Sequence, residues 1–472
     1  MKAEIENFSI KGLFGKKDVS LSFENRVQVY VGENGFGKTT VLNLLYYLLS
    51  FKFEEMLKIN FVSVSIQIKG KSYDFTKTQI QAYVERDIPT YSRSPYVRFF
   101  LANLRPTDIR ELKKIIDNSS FDRIRKIKMV SDYFHKVGRN ITNIPLNEQY
   151  NAVVQAIASK EKTEIFDTYI DSVKRLNYKI LYFPTYRRIE IDKEKIRKSI
   201  QGNEDKESFF FNLEQEEQKN SLTKISQFIH MGMDDFVERK DKLLERISDI
   251  SRRKLDALST DIIKCEIQGY PGSTKIKDSD IETVQTLLSR SHIGLVDDDL
   301  KKVIEMISNG EVYLDKNKVL LYVIRQLLDI YNSYAIYDRG LKKFVEVCNH
   351  YLNDKQLMYD QVALELYIQF NDEQSKSDIG FDLLSSGEKQ IISMLAEVYL
   401  DPDNNFIFMI DEPELSLSVF WQKMLIPDIM ESNRCALLFA VTHSPYIFEN
   451  EYDSCAVGMS EFVQFNKTEE SV

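Results

Sequence analysis

Cysteine is scarce in this chain. Four stand among 472 residues, Cys265, Cys348, Cys435 and Cys455, and no two form a C-x-x-C pair. Such scatter argues against a zinc site or a disulfide framework and fits a reducing cytoplasm. No apolar run is long enough to span a bilayer. The opening, MKAEIENFSIKG, lacks the apolar core of a secretory signal. Net positive charge is lacking too: the formal charge is −9, so the surface as a whole is not made for nucleic acid. What is present, 43% hydrophobic and 29% charged residues, suits a globular protein of roughly two to four domains.

One stretch departs from the acidic balance. Positions 92 to 140 hold twelve Lys or Arg against five Asp or Glu, a local charge of +7. Two readings stay open: a solvated helical face, or a patch for nucleic acid or an acidic protein partner.

Near the start stands VGENGFGKTT, Val31 to Thr40. It fills the pattern G-x-x-x-x-G-K-[ST] with Gly32, Gly37, Lys38 and Thr39. RVQVYV before it reads as a buried strand, and TVLNLLYYLLS after it has helical spacing. Strand, glycine turn and helix form a phosphate cradle. Glycines let the backbone N–H groups turn inward, and the helix N-terminus favours an anion. Asn34, Gly35, Phe36, Gly37, Lys38, Thr39 and Thr40 are the expected nucleotide contacts. Lys38 reaches the β- and γ-phosphates in this reading, and the Thr39 hydroxyl sits on Mg²⁺.

The partner pieces come more than three hundred residues later. NNFIFMIDEPE reads as a buried strand delivering Asp411 and Glu412 at its tip. Asp411 is the expected Mg²⁺ ligand and Glu412 the group that polarises the attacking water. RCALLFAVTHSPYIFE supplies another buried strand, tipped by Thr442, His443 and Ser444. His443 can contact the γ-phosphate and report its presence. His135, His230, His292 and His350 have no such context and read as structural or surface residues. In LLSSGEKQIISMLAEVYL a serine-glycine turn, Ser385, Ser386 and Gly387, opens a helix. That is a second anion site. One nucleotide already has a cradle, so the economical reading is that this turn caps a γ-phosphate bound by another copy of the chain.

With these pieces in place, the chain resembles an ABC-type ATPase of the SMC/RecF/OLD group. GENGFGKTT matches its Walker A loop, LSSGE (through Glu388) its signature, and MIDEPE its Walker B strand with catalytic glutamate. LSLS, Leu415 to Ser418, falls at the D-loop, VTHS at the switch histidine, and IENFSIKGLF at the first strand of such heads. The resemblance implies a mixed α/β head split by a mostly helical insertion. It also implies ATP with Mg²⁺ held between two heads, so a dimer of heads at the least and up to a hexamer. Gln79 and Gln81 are the candidates for a Q-loop. In KILYFPTYRRIE, Arg187 and Arg188 either contact phosphate, carry a signal across the interface, or form a surface pair salt-bridged to Glu190.

The expected organisation is an N-terminal lobe at 1–90, a basic helical segment at 91–178, and a return strand with an arginine turn at 179–200. A helical oligomer or partner domain at 201–365 and a C-terminal lobe at 366–472 complete it. Within the insertion Phe236, Leu243, Ile250 and Ala257 recur every seven residues, joined by Leu244, Ile247 and Leu258. The pattern is too short for SMC arms and lacks hook cysteines. Few residues follow His443, so a Toprim domain of the OLD kind is not expected, nor is an H-N-H cluster present in the sequence. The resemblance then points to the ATPase subunit of an anti-phage system of the PARIS type. There it would be an oligomeric scaffold holding a separate Toprim nuclease and sensing a phage trigger protein. Septu and retron ATPases with an HNH nuclease are close competitors, and a RecF-like repair ATPase on duplex DNA is the other class. A transporter ATPase fits poorly, because Gly387 lies 349 positions after Lys38 and the signature reads LSSGE.

Overall fold

The computed structural model describes residues 3–32, 35–84, 94–118, 121–137, 144–184, 226–228, 233–270, 275–277, 280–289, 297–371 and 378–465. The chain forms two compact units. One holds residues 1–180, 222–226 and 457–472; the other holds 181–221 and 227–456. Arg187, Arg188, His230 and His292 lie outside the described residues.

The first unit opens with β1 (Ile5–Leu13), β2 (Lys17–Ser22) and β3 (Val27–Val31), followed by helices α1 (Lys38–Leu49) and α2 (Phe53–Leu57). Strands β4 (Ser63–Ile68) and β5 (Lys71–Thr76) and helix α3 (Lys77–Val84) come next. β1 pairs antiparallel with β2 and with β4, setting Phe8 opposite Leu21 on one side and Ile66 on the other. β4 and β5 alternate, burying Val64, Ile66, Ile68, Tyr73 and Phe75 on one face and leaving the other wet. β3 and α1 read differently. Val27, Gln28, Val29 and Tyr30 are all buried, as is α1 from Val41 to Leu49, which is how an interior strand and its helix behave.

Four further helices complete this unit: α4 (Pro95–Asn103), α5 (Pro106–Ile116), α6 (Arg123–Lys136) and α7 (Leu146–Leu176). They enclose their own apolar core, with Val97, Phe100, Leu112, Phe134 and Val153 at its centre. The far half of α7 docks on the strands. Phe166 packs on Phe75 with ring centres 4.6 Å apart, and the Tyr169 hydroxyl donates to the Leu48 carbonyl at 3.0 Å.

The chain passes into the second unit within β6 (Tyr178–Phe183) and again within β7 (Ser226–Phe228). The helices α8 (Met233–Gln268), α9 (Ile281–Leu288), α10 (Asp297–Ser308) and α11 (Lys318–Asn349) succeed them. α8 and α11 run antiparallel. Phe236 near the start of α8 meets Phe344 near the end of α11, and Tyr270 just past α8 meets Tyr322 near the start of α11. With 36 residues, α8 is about 54 Å long. The heptad seam closes over only part of that length: Phe236, Leu243, Leu244 and Ile247 are buried, whereas Ala257 is exposed. α9 also packs against α11.

The hairpin β8 (Lys355–Asp360) and β9 (Glu365–Phe370) precedes α12 (Ser386–Tyr399), β10 (Asn405–Asp411), α13 (Val419–Met430) and β11 (Cys435–Thr442). Short strands β12 (Ala456–Gly458) and β13 (Val463–Phe465) end the described chain, and β13 returns to the first unit to pair with β2. β10 and β11 pair in parallel, Phe408 opposite Leu438, and β6 flanks β10 on its other side. The fold is mixed α/β with parallel strands and a large helical insertion. Among the described residues no helix is long and apolar enough to cross a membrane.

The helix pair is fastened to α12. Arg239 of α8 bonds the Glu397 carboxylate at 2.5 Å. Gly340 of α11 sits so close to the end of α12 that a Cβ there would come within 2.8 Å of the Tyr399 carbonyl oxygen. Gly340→Ala is therefore expected to destabilise the protein by about 1–3 kcal/mol, read as a lower urea midpoint; an unchanged midpoint would contradict this packing.

Candidate functional site

The first cluster is the glycine loop after β3. Gly35 and Gly37 have φ of +90° and +87°, a backbone shape that glycine adopts without a Cβ penalty. α1 begins at Lys38 with no side-chain cap and no acid in its first turn, so no carboxylate of its own competes for its leading N–H groups. Lys38 is only 5% exposed, and its ammonium donates to the Gly32 carbonyl at 2.6 Å. Thr39 and Thr40 are half-buried beside it. Asn34 lies outside the described residues.

Residues remote in sequence wall this loop. Lys17, on β2, donates to the Gly35 carbonyl at 2.5 Å. Its ammonium lies over the Phe36 ring at 5.6 Å and the Phe465 ring at 5.2 Å. On the other side a Cβ on Gly32 would come within 3.2 Å of the Met459 Cβ, so the chain's last described segment fits against a bare backbone there. A glycine turn, an uncapped helix start and a nearly buried lysine suit a polyphosphate.

The second cluster gathers at the tips of β10 and β11. Asp411 ends β10 and is 2% exposed. Glu412 follows with φ +50°, strained for a residue with a side chain, and its N–H donates to the Val441 carbonyl at 2.8 Å. That turn aims its carboxylate at His443, whose Nε2 stands 3.8 Å away. The structure thus brings Glu412 and His443 together.

Glu414 is the residue that sequence reasoning passed over. Its Oε1 accepts from the His443 backbone N–H at 2.6 Å and its Oε2 from the Thr442 hydroxyl at 2.7 Å. It therefore fixes the β11 tip to the turn after β10. Ser444 joins in by donating to Gln422 of α13 at 2.6 Å. The available signal was a third acid, three places after Asp411, too common a pattern to single out.

The serine-glycine turn opens α12 through a capping box. The Glu388 N–H donates to the Ser385 hydroxyl at 3.3 Å, and the Ser385 N–H donates to the Glu388 carboxylate at 2.6 Å. Lys355 of β8 stands 3.3 Å from the same carboxylate. Partial burial works against the Lys355 charge, but Asp354 and Glu388 outweigh it and hold the ammonium above its ordinary range. Glu388 is thus committed to shaping the turn. Of the two Q-loop candidates, Gln79 accepts from the Thr76 N–H at 2.8 Å and so helps start α3.

A glycine phosphate loop, a strand ending in paired acids and a mixed α/β fold define a nucleotide-binding ATPase. The family model of the AAA ATPase domain matches residues 1–448, and the chain belongs to that family. A comparison with curated proteins finds no match. Among solved structures, one similar chain is the Smc head domain with an extended coiled coil, bound to the C-terminal domain of ScpA, from Pyrococcus furiosus. It is 12% identical, with 98% of this chain and 95% of that chain covered, at a TM-score of 0.30. The Smc head domain with a coiled coil and joint from Pyrococcus yayanosii is 14% identical, with 94% and 93% covered, at a TM-score of 0.26.

Proposed function

We propose that the chain is an ABC-type ATPase whose ATP is held by the glycine loop of one copy and capped by the Ser385–Ser386–Gly387 turn of a second. The observation that carries this reading is the strained Glu412, held 3.8 Å from His443 by a turn that Glu414 pins. Backbone strain of that kind is retained where it places a reacting group.

In this reading Lys38 and the loop N–H groups bind the β- and γ-phosphates. Glu412 accepts a proton from the attacking water as the water's oxygen bonds to the γ-phosphorus and the bond to the ADP oxygen breaks. His443 donates to a γ-phosphate oxygen and stabilises the charge developing there. Thr39 and Asp411 are the residues to hold Mg²⁺, which supplies neutralisation of phosphate charge when bound. The Ser386 turn adds helix N–H groups from the opposite side.

The biological task proposed is that of an oligomeric switch controlling a separate nuclease, in the manner of PARIS-type anti-phage ATPases. The motif resemblance supports it. The helix pair α8/α11 adds support, because it is fastened directly to the helix that the serine-glycine turn opens.

The shared site has a sharp test. Ser386→Arg is expected to leave ATP binding intact but to block turnover. Mixed with Lys38→Ala protein, it should regain part of the lost activity, because one sound loop then faces one sound signature turn. Loss of ATP binding by Ser386→Arg alone, or no recovery on mixing, would argue for a site complete within one copy.

A further inference from the structure

We propose that Lys17 is a positioning residue for the nucleotide: it pins one peptide of the glycine loop so that the Phe36 N–H faces the phosphates, and β13 holds Lys17 in place. The inference rests on the reading that this loop carries the phosphates of ATP, and it adds a cause for the loop's shape that lies outside the motif.

Gly35 is the least supported point of the loop. Its φ is +90°, and among the described residues no atom beyond its chain neighbours lies within 4 Å of where a Cβ would sit. Glycine passes easily between positive and negative φ. Neither a side chain nor packing at that point keeps the peptide between Gly35 and Phe36 from turning over.

Lys17 supplies the missing restraint. Its ammonium, on β2, donates to the Gly35 carbonyl at 2.5 Å. A trans peptide is planar, so its carbonyl and the next residue's N–H point to opposite sides. The Gly35 carbonyl is thereby fixed towards β2, and the Phe36 N–H is turned away from it. A peptide turned over would present a carbonyl oxygen to the phosphates in place of a donor. The bond is charge-assisted, about twice as strong as one between neutral groups. It also polarises the amide and so makes the Phe36 N–H a better donor.

Two aromatic rings keep the ammonium where it is. It lies 5.6 Å from the centre of the Phe36 ring and 5.2 Å from that of Phe465, and the two rings are 6.4 Å apart. Phe465 is the direct cross-strand partner of Lys17, in a register that sets Val463 opposite Val19 and Gln464 opposite Asp18. Burial does not account for that phenylalanine, which is 62% exposed. Its contact with the cation does. Asp18 is engaged on the other side of Lys17, where its Oδ1 accepts from the Gly12 N–H at 2.7 Å.

The test measures steady-state ATP hydrolysis and equilibrium binding of a fluorescent ATP analogue by the full chain, with thermal melts to show that each variant is folded. Lys17→Met is expected to raise KM and the dissociation constant by about tenfold or more, the worth of a lost charge-assisted hydrogen bond. kcat should stay within about threefold, because the Phe36 N–H holds the nucleotide alike before and during the reaction. Lys17→Arg keeps a cation and a donor and should recover most of the loss. Phe465→Ala should move KM the same way by a smaller factor. Lys16→Met removes the same charge from an exposed neighbour and should behave as the wild type does. The proposal fails if Lys17→Met binds ATP normally while Lys38→Ala does not; the loop would then still be the cradle. It also fails if Lys16→Met loses as much affinity, if Lys17→Arg is no better than Lys17→Met, or if kcat collapses at an unchanged KM. Full ATP affinity in folded Lys38→Ala protein would overturn the loop reading itself, and this inference with it.

Discussion

Glu412→Gln protein is expected to bind ATP normally and to hydrolyse it about 10²- to 10⁴-fold more slowly, the usual worth of a positioned general base. Glutamine keeps the shape of the side chain. The backbone at φ +50° and its hydrogen bond to Val441 are unaffected, so the variant removes a proton acceptor and little else. Steady-state phosphate release measures the loss, and nucleotide retention on a filter measures the binding. With turnover stalled, ATP should persist in the complex, so light scattering should show a larger assembly than the nucleotide-free protein gives. Turnover at the wild-type rate would remove Glu412 from the reaction. Glu414 would be a poor replacement, because both its oxygens already accept hydrogen bonds from the β11 tip.

Lys38→Ala should fail one step earlier, at binding. A charge-assisted hydrogen bond contributes about 1.5–3 kcal/mol, and Lys38 is placed to make such bonds to two phosphates. The combined loss, about 3–6 kcal/mol, corresponds to roughly 10²- to 10⁴-fold in ATP affinity. Its bond to the Gly32 carbonyl goes to a backbone group that water can serve instead, so the protein should remain folded. Equilibrium binding of a fluorescent ATP analogue, beside a thermal melt, separates the two effects. Undiminished affinity in a folded variant would show that the glycine loop is not the nucleotide cradle. The pair of variants therefore divides the reading: Lys38 governs occupancy and Glu412 governs turnover.

Much of the candidate site was legible because its chemistry is local in sequence. The glycine loop needs only a strand before it and a helix after it, and Gly35 and Gly37 indeed take the positive φ that the turn requires. The acid pair announces itself by ending an apolar run, and β10 is that run. The Ser385 cap with Glu388 three residues on is likewise readable from spacing alone. The sequence by itself thus determined the chemical inventory: a glycine loop, two carboxylates, a histidine at a strand tip and a serine-glycine turn, with a long helical insertion.

Tertiary structure decided how those groups are held. Lys17 on Gly35, Lys355 on Glu388 and Arg239 on Glu397 join residues 18 to 158 positions apart, and no periodicity encodes such pairs. Glu414 became a clamp only when β10 and β11 paired in parallel and brought Thr442 and His443 beside it. The heptads of α8 specify an apolar stripe, but only tertiary packing decided that it is buried from Phe236 to Ile247 and exposed at Ala257. The basic stretch was ambiguous for the same reason. A count of charges cannot say that Asp108 folds inward while Asp117 and Asp132 stay exposed, nor that Lys126 bonds the Ile116 carbonyl.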